Sequence, residues 1–233
     1  MAPLDKSLIA GLPAFAGLSD EELDAILATA RSARFARDRS VFAQGEEARH
    51  FHLLLSGHIR VVRTSPEGTQ VVARFINAGE LFGIAVAMGL SSYPASAIAA
   101  VDSVVLSWPN AAWSDLQQRV PGFSAATYRT IGTRLQETQA TVMEMASEQV
   151  EQRVARAVLR LVQQSGRKTP DGIEIGVPLS RQDLAEMTGT TLHTVSRLLS
   201  RWQANGLVVG GRRKVTVTDP HGLVLVAEGR RDG

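Results

Sequence analysis

The stretch L-S-R-Q-D-L-A-E-M-T-G-T-T-L-H-T-V-S-R-L-L-S-R-W, residues 179–202, reads as two short helices, 180–188 and 191–203, joined around Gly189. Ser180 and Asp183 stand three residues apart ahead of the first apolar positions, the spacing at which two side chains cap a helix start. In the second helix Val195, Leu198, Leu199 and Trp202 recur at helical spacing and form one apolar face. This is helix-turn-helix geometry, in which the N-terminal half of the second helix meets base edges in the major groove.

Leu192, His193, Ser196 and Arg197 fall on the outward side of that second helix and are the candidate base readers. Arg197 suits a bidentate contact to guanine O6 and N7. The neutral imidazole of His193 offers one donor and one acceptor, and Leu192 offers only apolar contact, for instance to a thymine methyl. Just downstream, L-V-V-G-G-R-R-K-V-T-V-T (207–218) reads as a β-hairpin with a basic tip, which makes the helix-turn-helix a winged one. Arg181, Thr191, Arg201, Arg212, Arg213 and Lys214 are the candidates for phosphate contact, which adds affinity and salt dependence but little sequence information.

Charge agrees with this placement. The net charge is only +2, yet residues 1–149 carry 12 Lys/Arg against 15 Asp/Glu and residues 150–233 carry 13 against 8. The basic surplus sits beside the predicted wing. Upstream of it, a helix at 150–164 is followed by S-G-R-K-T-P-D-G, which reads as a loop.

Further towards the N-terminus the period changes. Tyr128, Ile131, Leu135, Thr138, Val142, Met145 and Gln149 follow the 3-4 spacing of a coiled-coil seam, which predicts a dimerisation helix over 121–149. The other reading of that stripe is a helix packed on its own barrel. From Arg31 to Leu106 short β-rich runs such as F-H-L-L-L (51–55), H-I-R-V-V-R (58–63), Q-V-V-A-R-F (70–75) and S-V-V-L-S-W (103–108) alternate with glycine turns, the pattern of an antiparallel sandwich or barrel. A short helix precedes them at S-D-E-E-L-D-A-I-L, where Ser19 and Glu22 form a capping box.

The chain of 233 residues has no cysteine, which excludes disulfides, thiolate zinc and cysteine-ligated iron–sulfur clusters. No apolar run approaches the length of a membrane span and the N-terminus lacks a leader pattern, so the expected compartment is the cytoplasm, with no membrane partner. Nucleotide loops and the usual hydrolase motifs are missing. Gly45, His50 and His52 resemble the start of a cupin metal motif, but no Glu follows at the required distance and A-G-E-L-F-G lacks a histidine. An enzyme is not expected, and no metal is assigned to these histidines.

The order β-roll, long helix and winged helix-turn-helix resembles the CRP/FNR superfamily of bacterial transcription regulators over essentially the whole chain. The resemblance rests on F-A-Q-G-E-E-A-R-H-F-H-L-L-L-S-G-H-I-R-V (42–61), A-G-E-L-F-G (78–83) and L-S-R-Q-D-L-A-E-M-T-G (179–189) in that order. It implies an α+β fold: an effector-sensing β-roll (a double-stranded jelly roll) over 1–120, a dimerisation helix over 121–149 and a DNA-binding domain over 150–233. It also implies a homodimer on double-stranded DNA with a near-palindromic operator, and RNA polymerase as a partner if the protein is an activator. A Glu usually stands in the family where His193 stands here, so the operator read should differ at that position.

For the effector, the cyclic-AMP branch pairs Gly-Glu with a later Arg-Ser that holds the cyclic phosphate. Gly79 and Glu80 are present here, but the second pair reads Ala95-Ser96, and losing the guanidinium argues against a cyclic nucleotide. The loop L-F-G-I-A-V-A-M-G-L-S-S-Y-P (81–94) is apolar, so the expected pocket is lined by Gly79, Glu80, Leu81, Phe82, Tyr93 and Ser96, with Leu135 and Thr138 from the long helix. Y-P-A-S-A (93–97) and T-T-L-H-T-V-S-R (190–197) are similar to the nitric-oxide-responsive denitrification regulators, which implies haem with a His or Met ligand. A different apolar ligand, no ligand, or a binding module that signals to a protein partner are the alternatives.

Overall fold

The computed structural model describes residues 5–12, 15 and 17–230. They divide into two compact units, residues 1–64 with 75–137, and residues 65–74 with 138–233.

The first unit is a β-roll with helices on one side. After the short α1 (Ser7–Ala10), α2 (Asp20–Ala28) starts at the predicted capping box: Ser19 Oγ accepts from Glu22 N at 3.3 Å and Glu22 Oε2 accepts from Ser19 N at 2.7 Å. Eight strands follow, of which β5 has its first five residues grouped with the second unit: β1 (Arg31–Phe35), β2 (Ser40–Phe42), β3 (His50–Ser56), β4 (Ile59–Thr64), β5 (Gln70–Ile76), β6 (Leu81–Phe82), β7 (Ser96–Ala99) and β8 (Ser103–Pro109). They form two antiparallel four-stranded sheets, in the orders β1-β8-β3-β6 and β2-β7-β4-β5. This is the antiparallel sandwich read from the strand spacing, in the jelly-roll form that the resemblance implies.

Register explains why F-H-L-L-L is apolar almost throughout. β3 and β8 pair Phe51 with Trp108 and Leu53 with Leu106, and these four point into one cluster with Leu23 and Ile26 of α2. The alternate residues, Leu54 and Val105, point into the roll with Phe42, Ile59, Phe82 and Tyr93. A sheet covered on both faces needs apolar residues on both. Trp108 Nε1 donates to Ile26 O at 2.9 Å and fixes α2 against the sheet. At the β3–β4 turn Gly57 has φ +91°, and a Cβ there would run into the backbone of Asp102 and Ser103, so only glycine fits.

After α3 (Trp113–Arg119), α4 runs from Pro121 to Ser147. Tyr128, Leu135 and Val142, seven residues apart, are 63%, 57% and 60% exposed in the single chain. They form the outward stripe expected of a seam, with Met145 and the adjacent Met143 also exposed. Two expected seam residues differ. Ile131 packs onto the chain's own core cluster, and Gln149 lies beyond α4, where it caps the next helix.

The second unit contains α5 (Val150–Ser165), β9 (Gly166–Thr169), β10 (Gly172–Ile175), α6 (Arg181–Thr188), α7 (Leu192–Ala204), β11 (Val208–Gly211), β12 (Lys214–Val217) and α8 (Pro220–Ala227). Its sheet has the order β11-β12-β10-β9, all antiparallel. The segment read as a loop, S-G-R-K-T-P-D-G, is therefore a hairpin. Its Gly172 has φ +133° and lies against Val217 O, so the segment's turn residues served a tight strand reversal. Where α4 meets α5, Glu144 binds Arg160 at 2.5 Å and Glu148 binds Arg156 at 2.7 Å. Arg153 donates to Glu148 O at 2.8 Å and to Thr188 O at 3.2 Å, joining the carbonyl ends of α4 and α6.

Candidate nucleic-acid interface

Local chemistry sets α6 and α7 at their angle. Ser180 Oγ accepts from Asp183 N at 3.0 Å while Asp183 Oδ2 accepts from Ser180 N at 2.8 Å, the reciprocal cap expected from sequence. Gly189 ends α6 at φ +60°, a left-handed conformation that costs glycine nothing. Two residues on, Thr191 Oγ1 accepts from Thr194 N at 3.1 Å and starts α7. Val195, Leu198, Leu199 and Trp202 are buried as expected and hold the helix to its unit.

With that face inside, His193 and Arg197 project from successive turns on the opposite side. Both are exposed, and neither has a hydrogen-bond or ion-pair partner among the described residues. Ser196 is half-buried on α7, and Leu192 stands on the flank towards the wing. Leu192 is half-exposed there and lines a groove of about 390 Å³. The groove runs between the start of α6 (Ser180, Arg181, Gln182), the flank of α7 (Leu192, Leu199, Gln203) and the hairpin (residues 210–215).

The hairpin turns on two residues, since Gly211 pairs with Lys214 and Arg212-Arg213 form the tip, with Arg213 at φ +59°. Three arginines of the expected set, Arg181, Arg212 and Arg213, therefore line this groove, and like Arg197 on α7 they have no carboxylate partner among the described residues. The other expected phosphate ligands are engaged. Arg201 pairs with Glu151, which also accepts from Trp202 Nε1 at 2.7 Å. Lys214 Nζ lies 2.6 Å from Glu174, and the Thr191 hydroxyl is used as the helix cap. Arg167 and Lys168, absent from the expected set, are exposed on β9. Reading that strand as a loop hid them.

The expected effector residues are placed as follows. Gly79 and Glu80 build the turn into β6: Gly79 sits at φ +88° and donates to Leu54 O at 2.7 Å, while Glu80 N donates to Asn77 O and its carboxylate accepts from Asn77 Nδ2. Ser96 Oγ accepts from Gln44 N at 2.9 Å. Leu81 is buried in the outer core cluster, its carbonyl bound by Arg134 Nη2 at 2.5 Å. Leu135 and Thr138 are exposed on α4.

Phe82 and Tyr93 do meet inside the roll. Tyr93 stacks on Phe42 at 3.8 Å, Phe42 and Phe82 lie 6.1 Å apart, and His52 stacks on both phenylalanines. Tyr93 Oη donates to His50 O at 2.6 Å, and His52 Nδ1 is 2.8 Å from Ser107 Oγ. Gly83 lets this stack close, because a Cβ at that position would strike the His52 and Phe42 rings. Burial, with a smaller contribution from His50, lowers the His52 pKa to about 3, so its imidazole is neutral. Phe42, His52, Phe82 and Tyr93 are thus packed on one another inside the roll.

Two family profiles match the chain. The cyclic nucleotide-binding domain matches residues 33–120, and the Crp-like helix-turn-helix domain matches residues 152–225. The cyclic AMP receptor protein of Thermus thermophilus is 28% identical over 219 residues, covering 94% of this chain and 98% of that protein. The global nitrogen regulator of Synechocystis is 26% identical, with the same coverage. Among solved structures, a CRP-family transcriptional regulator from Thermus thermophilus superposes with a TM-score of 0.70 at 26% identity, over 84% of this chain and 96% of that one. FixK2 of Bradyrhizobium japonicum has the same fold, with a TM-score of 0.74 at 19% identity over 84% and 96%.

Proposed function

We propose, for a chain that belongs to the CRP/FNR family of DNA-binding transcription regulators, that it acts as a homodimer reading a near-palindromic operator with Arg197 and His193. The carrying observation is the outward face of α7, where these two side chains stand exposed and unpaired among the described residues. A helix presented this way reads bases by its free donors and acceptors, while cations beside it meet the phosphates. Arg181, Arg212 and Arg213 are the backbone ligands of this reading, and Leu192 at the rim of the groove adds an apolar contact. Arg201 drops out of the set because it is held by Glu151.

The heptad stripe on α4 supplies the two-fold relation that a palindrome requires. The roll, which matches a cyclic nucleotide-binding domain, would bias the dimer between binding-competent and incompetent arrangements. A haem-borne response to nitric oxide has only the likeness of Y-P-A-S-A and T-T-L-H-T-V-S-R behind it. An absorption spectrum after haem reconstitution, with and without nitric oxide, decides: a specific Soret band that shifts on adding the gas would support that reading.

The DNA reading is tested by selecting bound duplexes from a random pool with the full-length protein. Enrichment of a two-fold symmetric sequence with half-sites about one helical turn apart is the expected result. Recovery of no consensus would overturn it.

A further inference from the structure

We infer that Glu174 restrains the wing's grip on the DNA backbone by competing with phosphate for Lys214 and, more weakly, for Arg167. The inference rests on the reading that this unit binds duplex DNA.

The strand register places one carboxylate between cations on both neighbouring strands. β10 is an interior strand, and Glu174 stands opposite Arg167 on β9 and Thr216 on β12. Lys214 lies two residues before Thr216 and so shares that face of the sheet. Glu174 Oε2 is 2.6 Å from Lys214 Nζ, and Oε1 is 3.7 Å from Arg167 Nη2. The carboxylate is the sheltered member, its side chain 20% exposed against 56% for Lys214 and 71% for Arg167. Glu174 is fixed by its strand, and the flexible cations come to it.

Lys214 also lines the groove with Arg181, Arg212 and Arg213. Those three have no carboxylate partner among the described residues, whereas Lys214 engages a phosphate only by leaving Glu174. An ion pair of this kind, whose cation is largely exposed, is weak enough for a duplex to break. Its effect falls on backbone affinity, since it removes a cation from the phosphate contacts and leaves His193 and Arg197 untouched. Sequence-independent binding scales with the number of phosphates neutralised, so the restraint favours the operator over bulk DNA.

The experiment compares the full-length protein with Glu174→Gln, measuring affinity for a random-sequence duplex and for the selected operator across a salt series. For Glu174→Gln the slope of log K against log salt should steepen by about one, random-duplex affinity should rise several-fold at low salt, and the ratio of operator to random affinity should narrow. In Glu174→Gln with Lys214→Gln the added slope should vanish. Glu174→Asp, which keeps the charge but shortens the reach, should fall between and serves if the glutamine variant fails to fold. An unchanged slope, or affinity that falls, would overturn the inference. If the parent protein binds no duplex, the DNA reading itself fails. If the parent binds and loses the operator on Arg197→Ala while Glu174→Gln behaves as the parent, only this inference fails.

Discussion

The indole N–H of Trp202 donates to the Glu151 carboxylate at 2.7 Å, and Arg201 closes on the same carboxylate. The end of the reading helix is thereby tied to the first turn of α5, with the Trp202 ring fully buried between them. Glu151→Ala should leave that N–H without an acceptor at a cost of about 1–3 kcal/mol, whereas Glu151→Gln keeps an acceptor and should cost less. Thermal unfolding followed by circular dichroism measures the difference. Equal losses in the two variants would mean that the hydrogen bond to Trp202 carries none of the stability.

Arg197→Ala should lower operator affinity by about 1–3 kcal/mol, roughly fivefold to more than a hundredfold, and leave salt-sensitive binding to random duplex largely intact. A footprint that survives this change removes Arg197 from the readers. His193→Glu replaces a donor–acceptor ring by a pure acceptor and should move the preferred base towards cytosine, whose N4 donates. A second selection on the variant reads this directly, and an unchanged consensus would show that His193 is not a reader.

Leu135→Glu or Val142→Glu would place a carboxylate in the middle of the α4 stripe, where in a dimer it would meet its own copy across the two-fold axis. Either change should shift the protein to monomer in sedimentation velocity and abolish operator binding while leaving the far-ultraviolet spectrum intact. A variant that stays dimeric would place the interface elsewhere.

His52 gives stability a defined dependence on acid. Its pKa is about 3 in the folded chain, against an ordinary value of 6.5. Between these values the unfolded chain takes up a proton that the folded chain refuses. Stability from this group is thus fully present above about pH 6.5 and declines as the pH falls towards 3, by at most about 1.4 kcal/mol per unit. His52→Gln should flatten that part of the profile in urea unfolding measured at a series of pH values. A variant with the parent's slope would mean that the imidazole is free to charge in the fold.

What could be read from the residues divides by the reach of the interaction. Caps and local periodicity were legible: Ser19–Glu22, Ser180–Asp183 and the buried side of α7 appear where the spacing placed them. Features set by strand pairing were not. Nothing in S-G-R-K-T-P-D-G announces that β10 and β12 will accept it as part of a sheet, so Arg167, Lys168 and the Glu174 pairings were missed. The turn that Gly79-Glu80 makes into β6 and the role of Gly83, whose missing side chain shapes the roll interior, are likewise set by pairing and packing. The same limit applies to the arginines. Composition counts them equally, and only the fold separates Arg201, held by Glu151, from Arg197, held by nothing described.

Arg213 sits at φ +59°, a backbone conformation in which glycine would rest without strain and most other residues lose about 1 kcal/mol. Folding and binding therefore make opposite demands on one position. Arg213→Gly relaxes the tip and removes a guanidinium from the groove, so selection for heat resistance alone would drift towards a wing that holds DNA less well. A thermostability screen of this chain should accordingly recover the glycine, and its DNA affinity should fall as its melting temperature rises.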